Sequence, residues 1–320
     1  MSETLVVNEI YLSLQGESTF AGLPCIFVRL TACNLRCSYC DTAYAFTAGK
    51  KQSLPDILVE IRRQAKPFGR GSGEGLLAES VGGAGVSESP SPSPRPSPLG
   101  RGGDKVVGFS SDSVLSGAAP SSALRATSPP VGAKEGVGRT EVAGLIGSGV
   151  LKLPLVELTG GEPLLQPNAL PLMRALCDEG FTVLVETSGA HDISKVDARV
   201  RRIMDLKCPS SGEVSRNRWE NIPHLKATDE IKFVMGTEED YAWAKEKIAE
   251  HQLAAICPLL FSWVQPLLPE QQEKSLKKVP AGQTPISRLA LAERIIADAL
   301  PVRFQVQLHK IIWSPDQRGV

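Results

Sequence analysis

The chain has 320 residues, with 35 basic and 35 acidic side chains. That balance leaves no electrostatic footprint for nucleic acid or an anionic membrane surface. No run of 18 or more apolar residues is present, which excludes an ordinary spanning helix, and seven cysteines, an odd number in a long chain, argue against a disulfide framework. The stretch Met1–Glu17 has neither a basic n-region nor an apolar h-region, so a cytoplasmic location with free thiols is expected.

In chain order, Val6 to Leu14 is apolar-rich and runs into Gln15-Gly16-Glu17. Ile26 to Leu30 reads as a buried strand on which Arg29 shares a face with Phe27 and Cys25. An arginine there must meet an anion, either a ligand or an internal partner, because its desolvation is otherwise costly. Ser53 is a plausible N-cap for a helix over 54–64, with Leu54, Ile57, Leu58 and Ile61 on one side. Between Gly69 and Gly149 lie 18 of the 29 glycines, a Ser-Pro run and one aromatic, Phe109. Such a segment buries too little apolar surface to offset its chain entropy. It is read as a disordered, low-complexity insertion over 69–149, so 1–68 and 150–320 form one domain of about 240 residues. A docking tail for a partner is the competing use of the Ser-Pro run.

Beyond the insertion, strands are expected over 153–158, 181–186, 202–207, 230–234 and 255–261. Helices are expected over 168–179, 240–251 and 287–299, with a β-rich close over 302–313. Six strands alternating mostly with helices predict an α/β fold with a parallel sheet. Six units are too few for a closed eight-fold barrel, so the expectation is an open partial β/α barrel with its ligands at the strand carboxyl ends. A doubly wound sheet fits the same pattern.

Chemistry concentrates in two motifs. Cys33-Asn34-Leu35-Arg36-Cys37-Ser38-Tyr39-Cys40 follows a strand with C-x3-C-x2-C spacing. Three thiolates suit an iron–sulfur cube with one iron left open, whereas closed zinc sites want a fourth ligand, usually from a second pair. The remaining cysteines are single, and no H-x3-5-H pair exists among the four histidines. Thr159-Gly160-Gly161-Glu162-Pro163 follows the next core strand. Its adjacent glycines permit close backbone approach, and Glu162 offers a carboxylate to an ammonium group. Glu186-Thr187-Ser188-Gly189 offers polar groups to ribose hydroxyls, or simply forms a turn. Asp205, Lys207 and Gln265 stand at later strand ends, and no histidine is placed for acid–base catalysis.

The cysteine triad with Tyr39 before its last member, together with the G-G-E-P run, resembles the radical S-adenosylmethionine (SAM) enzymes. The resemblance implies a [4Fe-4S] cluster on Cys33, Cys37 and Cys40. Its open iron would bind SAM, and one-electron reduction would release a 5′-deoxyadenosyl radical. Tyr39, Cys40, Asp41, Gly160, Gly161, Glu162, Glu186, Ser188, Asp205, Lys207 and Gln265 would then contribute to the SAM site. Leu14-Gln15-Gly16-Glu17, Arg29, Cys40-Asp41-Thr42, Thr159, His309-Lys310 and Gly319-Val320 narrow the resemblance to the 7-carboxy-7-deazaguanine synthase family, over nearly all the chain except 69–149. That family implies conversion of 6-carboxy-5,6,7,8-tetrahydropterin to 7-carboxy-7-deazaguanine with loss of ammonia, a carbon–nitrogen lyase step in queuosine biosynthesis. Leu14, Gln15, Gly16, Glu17, Arg29 and Thr159 would face the pterin, with Arg29 on its carboxylate. Thr42 would give an oxygen to Mg2+, a hard ion that takes few protein ligands. A homodimer and a flavodoxin or ferredoxin electron donor are implied. The competing readings are an activase that installs a glycyl radical on a partner and a structural metal module. The first gives Arg29, Leu14-Gln15-Gly16-Glu17 and Thr42 no purpose, and the second gives Gly160-Gly161-Glu162-Pro163 none.

Overall fold

The structure, a computed structural model, describes residues 3–69, 141–142, 151–267, 272–314 and 317–319. The expected insertion lies almost wholly outside the described residues. At its end, Glu141–Val142 (β4) pairs antiparallel with Leu151–Lys152 (β5).

The remaining strands form one sheet. β1 (Thr4–Leu14) pairs antiparallel with β2 (Pro24–Leu30) and with β3 (Lys50–Ser53). From β2 the sheet continues in parallel through β6 (Leu155–Gly160), β7 (Val183–Thr187), β8 (Arg201–Leu206), β9 (Glu230–Met235), β10 (Leu259–Trp263) and β11 (Arg303–Gln305). Among the described residues the parallel strands lie in sequence order with no reversal and no topological switch point, so the doubly wound alternative falls away. The edges β3 and β11 do not meet, which leaves an open β/α barrel.

Local chemistry explains the helices. α1 (Leu54–Ala65) starts with Ser53 accepting from the Asp56 N–H and with Pro55 in its first turn, and it buries Leu54, Ile57, Ile61 and Ala65. α2 (Ala169–Asp178) buries Leu172, Met173 and Leu176. α3 (Glu238–Glu250) opens with a capping box between Thr237 and Asp240, and α4 (Arg288–Ala297) with Ser287 as cap.

Two expectations are corrected. Residues 255–258 are not part of the strand: Leu253–Ala255 is a 3₁₀ turn and β10 begins at Leu259. Pro258 has no N–H to donate to a ladder. The chain end is also less β-rich than its pattern suggests. Only Arg303–Gln305 pairs with β10, and His309–Ile312 forms a single helical turn (α5). There the chain leaves the sheet and crosses the strand ends, with the Leu308 N–H donating to the Gly16 carbonyl at 2.9 Å.

Alternation sorts each parallel strand between two environments. Ile26, Val28, Leu30, Val156, Leu158, Val185, Met204, Leu206, Ile231 and Phe233 face the helices and form the main core. The opposite, concave face carries a smaller apolar cluster of Phe20, Cys25, Phe27, Leu153, Leu155 and Leu184. Nearer the carboxyl ends that same face becomes polar, with Arg29, Glu157, Thr159, Glu186, Asp205 and Lys232.

Candidate active site

A cavity of about 450 Å3 opens over this polar layer. The cysteine loop forms one wall, directly after β2. It is tied down on two sides. The Gly161 and Glu162 N–H groups donate to the carbonyls of Leu30 (3.2 Å) and Ala32 (2.9 Å). Ser38 donates from its N–H to the Ser211 carbonyl (3.1 Å) and from its hydroxyl to the Ser210 carbonyl (2.7 Å). The glycines of the G-G-E-P run serve this contact. A Cβ on Gly161 would stand 2.0 Å from the Ala32 oxygen, and one on Gly160, at φ +122°, 2.2 Å from the Leu30 oxygen. The close approach that the sequence suggests is therefore made to the loop carrying Cys33.

Glu162 has a different environment from the one its motif suggests. It is fully buried and does not line the cavity. Its carboxylate accepts from Thr187 Oγ1 (2.9 Å), the Ser188 N–H (2.7 Å), the Ser188 hydroxyl and the Leu164 N–H (3.0 Å). It thereby fixes the end of β7, where Thr187 and Ser188 do reach the cavity. Gln265 is the second departure: its neighbours Trp263 and Val264 line the cavity and it does not. The other predicted positions all line it: Leu14, Gln15, Gly16, Glu17, Arg29, Cys33, Cys37, Tyr39, Cys40, Asp41, Thr42, Thr159, Gly160, Gly161, Glu186, Ser188, Asp205 and Lys207.

The three thiols of the triad are free and share this wall. Burial pushes the Cys37 thiol up to about 11, opposed by Lys207, so iron binding there releases protons. Among the described residues, no three of His, Cys, Asp and Glu converge as ligands of a single ion. A cube takes one thiolate per iron, so its ligands stand farther apart than those of one tetrahedral ion. The donor set, three cysteines on one cavity wall, fits such a cluster. Beside it, Lys207 Nζ pairs with Asp205 Oδ2 at 2.7 Å, while Asp205 Oδ1 is buried without a partner.

At the other end, Arg29 has the internal partner that its strand position calls for. Its Nε donates to Glu9 Oε1 (2.7 Å) and its Nη2 to the Tyr11 hydroxyl (2.5 Å). The guanidinium lies over the Tyr11 and Tyr44 rings. Burial opposes its charge, yet Tyr11, Tyr44 and Glu9 hold it protonated. Among the described residues its Nη1 makes no hydrogen bond, which leaves that nitrogen's N–H groups for a further anion.

Lys232 lies between two carboxylates, Glu17 (2.9 Å) and Glu186. Burial alone would raise Glu17, but Lys232 chiefly, with His309 and Gln307, brings it down to about 2. The C-terminal segment covers this end. Gln307 donates to Glu17 (2.9 Å) and Asp41 (3.2 Å), Lys310 pairs with Asp41 (2.5 Å), and Arg318 lies over the Tyr44 ring. Sequence reasoning missed Glu9, Tyr11, Tyr44, Glu157, Lys232 and Gln307. The available signal was the one used for Arg29, a charged residue inside an apolar strand: Glu157 stands two before Thr159, and Lys232 interrupts Glu230–Met235.

No protein-family model matches the chain. Curated relatives do. The chain is 32% identical over 316 residues to the 7-carboxy-7-deazaguanine synthase of Koribacter versatilis, covering 98% of this chain and 99% of that one. It is 31% identical over 319 residues to that of Chlorobaculum tepidum, covering 99% and 97%. The chain belongs to the 7-carboxy-7-deazaguanine synthase family. Its fold matches the crystal structure of QueE from Escherichia coli with a TM-score of 0.52 and 19% identity, over 96% of this chain and 95% of that one. As a synthase of this family it is a radical SAM lyase of queuosine biosynthesis, and the glycyl-radical activase reading is not favoured. Among the described residues no helix is long and apolar enough to cross a membrane.

Proposed function

We propose that this chain converts 6-carboxy-5,6,7,8-tetrahydropterin to 7-carboxy-7-deazaguanine and ammonia, with each end of its cavity serving one partner of that reaction. The observation that carries the proposal is the joining, in one cavity, of a cysteine triad and a buried, charge-paired polar end, in a chain alignable with named synthases over almost its whole length.

Cys33, Cys37 and Cys40 would hold the [4Fe-4S] cluster. Gly160, Gly161, Ser188, Asp205 and Lys207 would receive SAM, with the unpartnered Asp205 oxygen turned to a hydroxyl or ammonium donor. When bound, the cluster supplies the electron that cleaves SAM. The chain's own residues bind, orient and seal. Arg29 would take the pterin carboxylate through its spare Nη1, because a guanidinium offers further in-plane donors after Glu9 and Tyr11 are satisfied. Glu17, Glu186 and Thr159 would receive the ring N–H groups, and Leu14, Gln15 and Gly16 would pack against the ring. Glu162 would act indirectly, by fixing Thr187 and Ser188. The crossing C-terminal segment would exclude water from the reacting atoms. Thr42, which lines the cavity, would give its hydroxyl to Mg2+, whose remaining ligands would come from substrate and water. The enzyme would act in the cytoplasm as a homodimer, with flavodoxin or ferredoxin as electron donor.

The test is an anaerobic reaction of reconstituted, reduced protein with SAM, Mg2+ and the carboxytetrahydropterin, read by mass spectrometry. The expected result is 7-carboxy-7-deazaguanine without matching consumption of SAM. Cleavage of SAM with no deazaguanine would discard the pterin assignment.

A further inference from the structure

One carboxylate on the concave face has no role in the reading above. Glu157 lies on β6, two residues before Thr159, and is 1% exposed although it lines the cavity floor. Its Oε2 accepts from Gln15 Nε2 at 2.6 Å. With its amide nitrogen so engaged, Gln15 turns its Oε1 to the Glu17 N–H, at 2.5 Å. Glu17 pairs with Lys232, Lys232 pairs with Glu186, and Glu186 accepts from Thr159 at 3.2 Å. The hydrogen bonds thus run from β6 through the loop after β1, then β9 and β7, and return to β6.

This circuit holds three carboxylates and one ammonium. Glu17 and Glu186 share Lys232, whereas Glu157 has only a neutral amide. The groups facing it are Glu186 from β7, Lys232 from β9, Glu17 from the loop after β1 and the Cys25 thiol from β2. A buried charge without a counter-ion is disfavoured, and the ordinary outcome is that the group keeps its proton.

We propose that Glu157 is a positioning residue that works as a neutral carboxylic acid, setting the orientation of the Gln15 amide and through it the Gln15–Glu17 turn that closes the substrate end of the cavity. Burial, reinforced by the nearby Glu186, pushes its carboxyl up to about 8. Ionisation above that range places a third negative charge beside Lys232, where it competes with Glu17 and loosens the turn. Substrate affinity therefore falls on the alkaline side through this residue. The kinetic part of the inference rests on the pterin reading; the protonation part does not.

The two parts are tested separately. In protein labelled with 13C at the glutamate carboxyls, one resonance should titrate near pH 8 and be missing from Glu157→Gln. If every glutamate titrates in the ordinary carboxylate range, the proposal is overturned whatever the substrate. In steady-state assays from pH 6.5 to 9.5, Glu157→Ala should raise KM about tenfold at pH 7, the scale of one buried hydrogen bond. Glu157→Gln should recover most of that loss, and its KM should no longer climb with pH as the parent's does. An alkaline rise in KM that persists in Glu157→Gln refutes the positioning role, and that variant keeps the test intact if Glu157→Ala fails to fold.

Discussion

The two faces of the parallel sheet are built from the same strands, one residue out of step. On β6, Val156 and Leu158 are buried against the helices, while Glu157 and Thr159 are buried beneath the cavity. On β9, Ile231 and Phe233 contrast with Lys232 in the same way. Burial is nearly equal on the two sides, so burial does not separate stability from function here. Partnering does. The helix-side residues need only volume and contact, and one apolar side chain replaces another of similar size there at modest cost. The polar residues of the concave face, Glu157, Thr159 and Lys232, are tolerably buried only because each has a charge or hydrogen-bond partner placed by another strand or by the loop after β1. A slip of one residue in register would exchange the two sets.

Gly161→Ala should give the largest effect, because it breaks the contact that holds the cysteine loop against the end of β6. Its Cβ would meet backbone at Ala32 and the Cys33 side chain, and neither is the end of a flexible chain. The expected loss is about 4 kcal/mol or more, the range reached only when a specific packing arrangement is broken. Urea unfolding should show it, with loss of bound iron after reconstitution. A variant of parental stability would mean that the cysteine loop is not anchored on β6. Leu158→Ala sharpens the contrast from the helix side. It should cost about 3 kcal/mol through lost burial and an unfilled cavity, with kcat and KM per folded molecule unchanged at a temperature where the variant is still native. A change in KM would show that the two faces are mechanically coupled.

The helix side was largely legible in the sequence. Apolar periodicity, with Ser53 as a cap, gave the helices within a residue or two of their bounds, although the Thr237–Asp240 capping box that opens α3 was not read. The cysteine triad and Thr159-Gly160-Gly161 marked the right strand ends. The concave side was legible only where a motif named it. Arg29 was readable as a charge needing an anion, but Glu9 as its internal partner was not, since the pair depends on the antiparallel register of β1 on β2. Lys232 and Glu157 carry the same signal without a motif beside them. Glu162 was read from its motif as a ligand contact, whereas the structure gives its carboxylate to Thr187 and Ser188 across 25 and 26 residues of chain. The crossing C-terminal segment was hidden because Val302, Phe304, Val306 and Leu308 alternate with polar residues as a strand would. In each case the missing information is which segment of the chain lies next to which, and one segment's own pattern does not contain it.

The smallest expected effect tests the cover over the polar face. Gln307 bridges Glu17 and Asp41 from the C-terminal segment. Glu17 has an ordinary value of 4.5 and is held at about 2 in the folded state, mainly by Lys232 against the opposing effect of burial, with Gln307 as a lesser contributor. A depressed carboxyl contributes stability that is present above its unfolded value and lost as pH falls through its folded value. Gln307→Ala removes one donor to that carboxylate, so the expected deficit is about 1 kcal/mol at pH 7. The deficit should shrink as pH falls from 4.5 toward 2. Urea midpoints at pH 7, 4 and 3 would show the convergence. Glu157 should behave in the opposite sense: its folded value lies above its unfolded one, so its contribution weakens as pH rises from 4.5 toward 8. If the Gln307→Ala deficit stays constant with pH, the C-terminal segment is held by its backbone contact at Gly16 and not by the carboxylates beneath it. The polar face would then be sealed independently of its charge state.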